Sequence, residues 1–296
     1  MSHLIQLREQ IKAVQTTKKI THAVRLVSMS MYAKLEKLSI PHKLYFKSIA
    51  DFFTALLDRE TEWQHPIFNP GDLLDSKPLY IIVATSKGLC GSLNSNLFRY
   101  LEQSFFLQPY QAAEFIVLGQ RGIRFIKGKQ WGEIVYAYPE LSSNNYMTIA
   151  EDIVDRVVSS NKNYTSVTFF GSQLKTFFQQ QPKKVVLLPL QRSGLNLFVD
   201  DKDVADTLST LGEDPIIEQQ ADRLLEYAAI SYAHSFVINV LFQAILAEHA
   251  ARFLAMDSST TNAEKYLEKL TLHYNKIRQA VITKEVAELS SNTLAK

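Results

Sequence analysis

The residues best placed to do chemistry lie in Thr85-Ser-Lys-Gly-Leu-Cys-Gly-Ser-Leu-Asn94, between a β-rich apolar run and a helix-like one. Backbone amides at such a junction can cradle a phosphate. The spacing Gly88-x-x-Gly91 is neither GxGxxG nor GxxxxGK(S/T), so the dinucleotide and P-loop signatures are both missing. The glycines read first as a tight turn needing positive φ or close approach, with a nucleotide-binding turn as the alternative. Cys90, the only cysteine, could be a reactive thiol at a helix start, but no Cys/His/acid arrangement surrounds it, and it reads as a small buried side chain. A single cysteine excludes an intrachain disulfide and points to a reducing compartment. The histidines, at 3, 22, 42, 65, 234, 249 and 273, have no metal-ligand spacing. Asp200-Asp201 reads as a solvated loop, with an interface role second. Neither a catalytic carboxylate pair nor a nucleophile arrangement emerges, so no active site and no cofactor are expected.

Charge is more informative. Residues 1–47 carry Arg8, Lys12, Lys18, Lys19, Arg25, Lys34, Lys37, Lys43 and Lys47 against only Glu9 and Glu36. A basic helix of this kind wants an anionic neighbour: nucleic acid, a membrane surface or an acidic protein loop.

The elements that must position these residues begin at the two chain ends. From Ile216 to Lys296 there is neither Gly nor Pro. The apolar positions Ala263, Leu267, Leu270, Tyr274, Ile277 and Val281 step by four and three, the seam of a helix wound around a partner. At the other end Leu4, Leu7, Ile11 and Val14, then Ile20, Val24, Val27, Met31, Leu35 and Leu38, repeat the pattern, with Lys18 interrupting. Pro41 should kink or restart that helix, and Tyr45 to Leu57 carries it to about Asp58. Two seams at opposite ends predict an antiparallel coiled coil with a separate body between them.

That body changes period. Leu79–Ala84, Phe115–Leu118, Glu133–Tyr136, Ser166–Phe170 (ending at Gly171) and Val185–Leu188 read as strands. Helix-like runs near Asn96–Phe106, Arg121–Lys129 and Thr148–Ser160 separate them, predicting an α/β sheet with parallel neighbours. Asp200 to Asp214 reads as a loop with a short helix, leading into the long helix at Pro215. The expected division is an N-terminal coiled-coil helix over 1–58, a Rossmann-like α/β domain over 76–195 and a C-terminal coiled-coil helix over 210–296. The opening Met-Ser-His runs at once into an amphipathic pattern, with neither a secretion signal nor a transit-peptide bias. Tyr227 to Ala247 lacks charge and is long enough to span a bilayer, but it holds Ser231, His234, Ser235, Asn239 and Gln243 and has no aromatic belt at both ends. It is expected to be a buried helix, not a membrane span.

At residues 248–285 the text becomes specific. Glu248-His-Ala-Ala-Arg-Phe-Leu-Ala-Met256, Thr261-Asn-Ala263 and Leu272-His-Tyr-Asn-Lys-Ile-Arg-Gln-Ala-Val-Ile-Thr-Lys-Glu285 closely resemble the C-terminal signature of the F-type ATP synthase gamma subunit. Thr16-Thr-Lys-Lys-Ile-Thr-His-Ala23, the kink proline Pro41, His65-Pro66 and Lys87-Gly-Leu-Cys-Gly-Ser-Leu-Asn94 are similar to that family in the same order. The resemblance implies a rotor shaft without catalytic residues. It would turn inside a ring of alternating alpha and beta subunits, bound below to the epsilon subunit and the membrane c ring, at the cytoplasmic face of a bacterial plasma membrane. Proton flow through the c ring would drive rotation, and rotation would cycle the beta sites through ATP synthesis, reversibly. It implies no nucleic-acid partner and no direct membrane span.

By the same resemblance Lys18, Lys19, Arg25 and Lys34 would face an acidic lever loop on the beta subunits. Arg252, Arg278 and Gln279 would meet the alpha/beta ring, and Ile282, Val286 and Leu289 would turn in its apolar collar. Phe198, Asp200 and Asp201 would meet the c ring or epsilon. Where the family usually reads Glu-Leu-Val-Ala-Ala-Ser-Lys-Met-Arg-Lys, this chain reads Arg25-Leu-Val-Ser-Met-Ser-Met-Tyr-Ala-Lys34. Asp257 stands where Lys is usual, and His249 where Gln is. The cysteine pair of the plant chloroplast form is absent. The rival readings are a non-rotary coiled-coil scaffold whose basic helix binds nucleic acid or lipid, and a nucleotide binder built on Gly88–Asn94.

Overall fold

The computed structural model describes residues 2–59, 63, 77–106, 113–158, 164–190 and 221–294. In chain order these form α1 (Ser2–Arg59), β1 (Lys77–Val83), α2 (Leu93–Phe106), β2 (Glu114–Leu118), α3 (Gln120–Lys129), β3 (Glu133–Tyr138), α4 (Tyr146–Val158), β4 (Tyr164–Thr176), β5 (Gln179–Leu188) and α5 (Ala221–Leu294). The chain divides into two compact units, Met1–Met29 with Arg252–Lys296, and Ser30–Ala251. The boundaries fall inside α1 and α5, so each long helix contributes to both units.

The larger unit is three-layered around a sheet of order β3-β2-β1-β4-β5. Alternation along β1 sends Leu79, Ile81 and Val83 to one face and Tyr80, Ile82 and Ala84 to the other. The first face is buried with α4, residues from Tyr32 to Leu57 of α1 and residues from Leu225 to Ala250 of α5. The second is covered by Leu97, Leu101 and Phe105 of α2 and Ile123 and Ile126 of α3. Strands β1, β2 and β3 pair in parallel, and β4 returns to the free side of β1, also in parallel. Gly119, at φ 84, makes this layering possible: a Cβ there would lie 2.2 Å from the Ala84 carbonyl oxygen.

Three expectations are corrected here. β5 is antiparallel to β4, not parallel, because only the turn Phe177-Phe178 connects them. A two-residue link permits a hairpin, whereas a parallel crossover needs a dozen residues or more. Gly171, expected to end its strand, lies inside β4, its bare Cα facing Val83. Pro41 does not restart α1, which is helical from Ser2 to Arg59. Pro41 is exposed, so the amide bond it cannot make falls on the solvent side.

The apolarity of α5 is accounted for by this unit's core. The helix contains a window of mean hydropathy 1.5, of which 78% is buried. Tyr232, Phe236, Val237, Leu241, Phe242 and Ala247 are each at most 1% exposed. Within the unit α1 and α5 run antiparallel: Phe46 and Phe53 meet Tyr232 at 5.5 and 5.7 Å between ring centroids, while the earlier His42 meets the later Phe242 at 4.6 Å.

His42 Nε2 also lies 3.0 Å from the Tyr146 hydroxyl, and burial holds its imidazole below the ordinary value. In the range just below about 6.5 the unfolded chain therefore binds the proton and the folded chain does not. Stability is full above that range and falls as the pH drops through it. The thermal midpoint of the chain should decline on acidification through this range, and His42→Phe should flatten the decline. An equally steep profile in the variant would remove His42 as its source.

The smaller unit is a helix pair. Contacts run from His3 with His273, through Lys18 with Glu264, to Arg25 with Asp257, so the strands of the pair are antiparallel. On α5 the seam Ala263, Leu267, Leu270, Tyr274, Ile277 and Val281 is buried or half-buried, as its spacing implies. On α1 the seam shifts by one residue after Val14. Thr21 and Ser28 are buried, whereas Ile20 and Val27 are 56% and 63% exposed. Lys18 does not break the seam; it is half-buried and paired with Glu264.

Candidate partner interface

The turn after β1 is tied together by its own polar groups and to its neighbours, the Ser86 hydroxyl accepting from the Leu141 amide (2.8 Å) and the Thr85 carbonyl from the Arg121 amide (3.2 Å). Asn94 accepts a hydrogen bond from the Thr85 amide (3.2 Å) and donates to Thr85 Oγ1 (2.7 Å), while Thr85 Oγ1 donates to the Lys87 carbonyl (2.7 Å). Gly91 sits at φ 58, and a Cβ on Gly88 would lie 2.8 Å from Arg121 Nη2. Cys90 is buried against Leu93 and Ala251. These contacts support the tight-turn reading of Thr85–Asn94 over a phosphate cradle.

The helix pair carries a polar layer in its middle. Lys18 Nζ lies 2.9 Å from Glu264 Oε1, and this hydrogen bond holds the carboxyl below its usual range. Arg25 Nη1 lies 2.7 Å from Asp257 Oδ1, and Nη2 lies 3.1 Å from His22 Nδ1. Between the two ion pairs the Thr260 hydroxyl lies 2.9 Å from Thr21 Oγ1 and 2.7 Å from the Met256 carbonyl. Arg25 and Asp257, two separate departures from the family text, are therefore partners. An acid–base order read as reversed at each position leaves an attraction when both are reversed.

A charge-swap experiment measures that attraction. Arg25→Asp should lower the unfolding free energy by about 0.5–1 kcal/mol, since both groups are partly solvated. Adding Asp257→Arg should restore most of it. A double-mutant cycle in urea reads the coupling directly, and additive single effects would mean the pair contributes nothing.

The residues expected to meet partners are placed as follows. Lys18 and Arg25 are engaged across the helix pair, with side chains 38% and 26% exposed. Arg252 is 8% exposed and presents little surface to another chain. Lys19, Lys34, Arg278 and Gln279 are exposed, Ile282 is 50% exposed and Val286 59%. Leu289 lies near the end of α5. Phe198, Asp200 and Asp201 lie outside the described residues.

Sequence reasoning missed two exposed apolar groups on the body, Leu89 at φ 66 and Phe178 at the β4–β5 turn. It also missed a polar cluster at the outer strand β3. There the Tyr138 hydroxyl donates to Asp152, Arg156 pairs with Asp152 at 2.9 Å, and the Arg156 guanidinium lies 3.4 Å from the Tyr136 ring centre. Burial, then the bond to Asp152, pushes the Tyr138 phenol up, while the bond from Arg156 holds the Asp152 carboxyl down. Among the described residues no group of three or more His, Cys, Asp or Glu is arranged to hold a metal ion.

A protein-family model described as ATP synthase matches residues 3–295. The ATP synthase gamma chain of Legionella pneumophila (strain Corby) is 29% identical over 297 residues, covering 98% of each chain. The chain belongs to the ATP synthase gamma-subunit family. The gamma chain of Clostridium perfringens (strain SM101 / Type A) is 27% identical over 288 residues, 97% of this chain and 95% of that one. Among solved structures, a chain of the Euglena gracilis mitochondrial ATP synthase (OSCP/F1/c-ring, rotational state 3) matches this gamma-family fold with a TM-score of 0.64. That match has 16% identity and covers 99% of this chain and 94% of that one. A chain of the rotor of the same enzyme in rotational state 1 gives 0.61 at 15% identity, over 95% and 99%.

Proposed function

We propose that this gamma-family chain is the central rotor shaft of a bacterial F-type ATP synthase, without a catalytic site of its own. It couples rotation of a proton-driven c ring to the conformational cycle of the beta subunits, in either direction. The observation that carries this is the antiparallel pairing of the chain's two ends, from His3 with His273 to Arg25 with Asp257. Two interlocked helices resist twisting better than one. Beyond the seam the same helices expose Lys19, Arg278, Gln279, Ile282 and Val286, an uneven surface that differs with angle. Unevenness is what coupling requires, because a partner shifts an equilibrium only by its differential affinity for the two states.

In this reading 1–58 and 210–296 are the shaft and 76–195 is the body. The alpha/beta ring surrounds the far end, where Leu289 joins Ile282 and Val286 in an apolar collar. Lys18, Lys19, Arg25 and Lys34 face the beta lever loop, and Phe198, Asp200 and Asp201 belong to the contact with epsilon and the c ring. The assembly sits peripherally on the cytoplasmic face of the plasma membrane. Co-expression with the alpha and beta subunits of the same enzyme tests the proposal. A stable complex with ATP hydrolysis is expected, and recovery of the chain apart from both subunits would overturn it.

A further inference from the structure

Near the start of α1 the seam of the helix pair is closed by Leu7 and Leu270, 5% and 8% exposed. One turn further toward that end stand His3, four residues before Leu7, and His273, three residues after Leu270. At those spacings each histidine shares a helix face with its leucine. The two rings lie 6.2 Å apart between centroids, with their planes at 83°. Both side chains are exposed. The leucines fix the backbones, so the imidazoles are held opposite one another yet stay free to turn about their own bonds.

The other histidines of α1 are committed elsewhere. His22 Nδ1 lies 3.1 Å from Arg25 Nη2, and His42 Nε2 lies 3.0 Å from the Tyr146 hydroxyl. Among the described residues neither His3 nor His273 has a hydrogen-bond partner, and each faces the other. One ion held by a nitrogen from each ring, at ~2.0–2.1 Å, sets the ring centres roughly 5–6.5 Å apart. The observed separation falls within that span.

The surroundings select the ion. Within four residues of either histidine there is no Asp or Glu, whereas Lys269 and Lys276 lie within a turn of His273. Calcium and magnesium seek carboxylate or carbonyl oxygens and are poorly served by such segments. Zinc, nickel and copper take neutral imidazole. We infer that His3 and His273 form a two-histidine site for a divalent ion of the zinc, nickel and copper class, water filling the remaining positions. The ion ties the first turn of α1 to α5. Helix ends are where local opening costs least, and an ion bound only by the closed pair holds that end shut by mass action. The inference does not depend on the rotor reading.

Zinc chloride titrated into the full chain, followed by calorimetry, tests it. One ion per chain should bind. His3→Gln and His273→Gln should each weaken binding by about 10–100-fold, no less than is lost when only a metal ligand's hydrogen-bond partner is removed. Both positions are exposed, and unchanged circular dichroism would verify that the variants keep the fold. With Cu2+ as a second probe, electron paramagnetic resonance should show two bound imidazole nitrogens in the parent and one in each variant. Zinc should also raise the thermal midpoint of the parent and of neither variant. Absence of binding would overturn the inference, as would parental affinity in His273→Gln. Loss on replacing His3 alone would put the ion on the opening residues without α5, and would overturn it equally.

Discussion

Ile277→Pro should abolish coupling in the assembled enzyme while leaving the α/β body folded. Ile277 lies half-buried on the seam of α5. Proline there removes an amide hydrogen bond and drives its ring into the preceding turn, at a cost of ~3 kcal/mol or more. The seam positions Leu270, Tyr274, Ile277 and Val281 could not then face α1 along one straight line. None of the three core clusters contains a residue beyond Ala251, so the body has no packing to lose. Circular dichroism should show the sheet intact, while ATP-driven proton pumping in vesicles carrying the complex should disappear. Pumping at the parental ratio of protons to ATP would mean that the far end of the helix pair carries little torque.

Phe169→Ala should have the opposite distribution of effects, unfolding the body first. Phe169 is fully buried on β4, in register with Ile81 of β1 on one side and Val185 of β5 on the other. Its ring meets Phe236 of α5 edge-on at 5.9 Å. Truncation leaves a cavity between the sheet and α5, costing about 3–5 kcal/mol, a large part of what an ordinary domain has to spare. Urea denaturation should show a clearly lower midpoint with an unchanged slope. A midpoint within error of the parent would mean the layer between sheet and α5 repacks freely.

Much of this architecture was legible because its signals are local. Freedom from Gly and Pro over 216–296 and the four-and-three spacing from Ala263 to Val281 announce α5. The alternation of short β-rich runs with ten-residue helical runs announces the sheet. What was not legible depends on residues far apart in sequence. α1 has two overlapping stripes, and apolarity alone favours the one through Ile20 and Val27. The stripe actually buried runs through Thr21 and Ser28, because Thr21 finds a hydroxyl on Thr260 and Ser28 bonds the Val24 carbonyl within its own helix. Lys18 read as a flaw for the same reason: Glu264, its partner, cannot be seen from its neighbours. The end of the strand was misplaced at Gly171 because glycine was taken as punctuation, whereas β4 runs through it and pairs it with Lys183 of β5. At the candidate interface, charge and resemblance found exposed groups on the helices, but neither marked Phe178. Its 78% exposure at the β4–β5 turn shows only in the fold.

Thr21 meets Thr260 across 239 residues and Arg25 meets Asp257 across 232. During synthesis the first helix therefore leaves the ribosome long before the segment that covers it. At about 5–20 residues per second, the delay is on the order of 10–50 s. Through that interval Leu4, Leu7, Ile11 and Val14 have no mate within the chain. The nascent polypeptide thus passes through a stage in which α1 is made but uncovered, open to chaperones or to aggregation until α5 arrives.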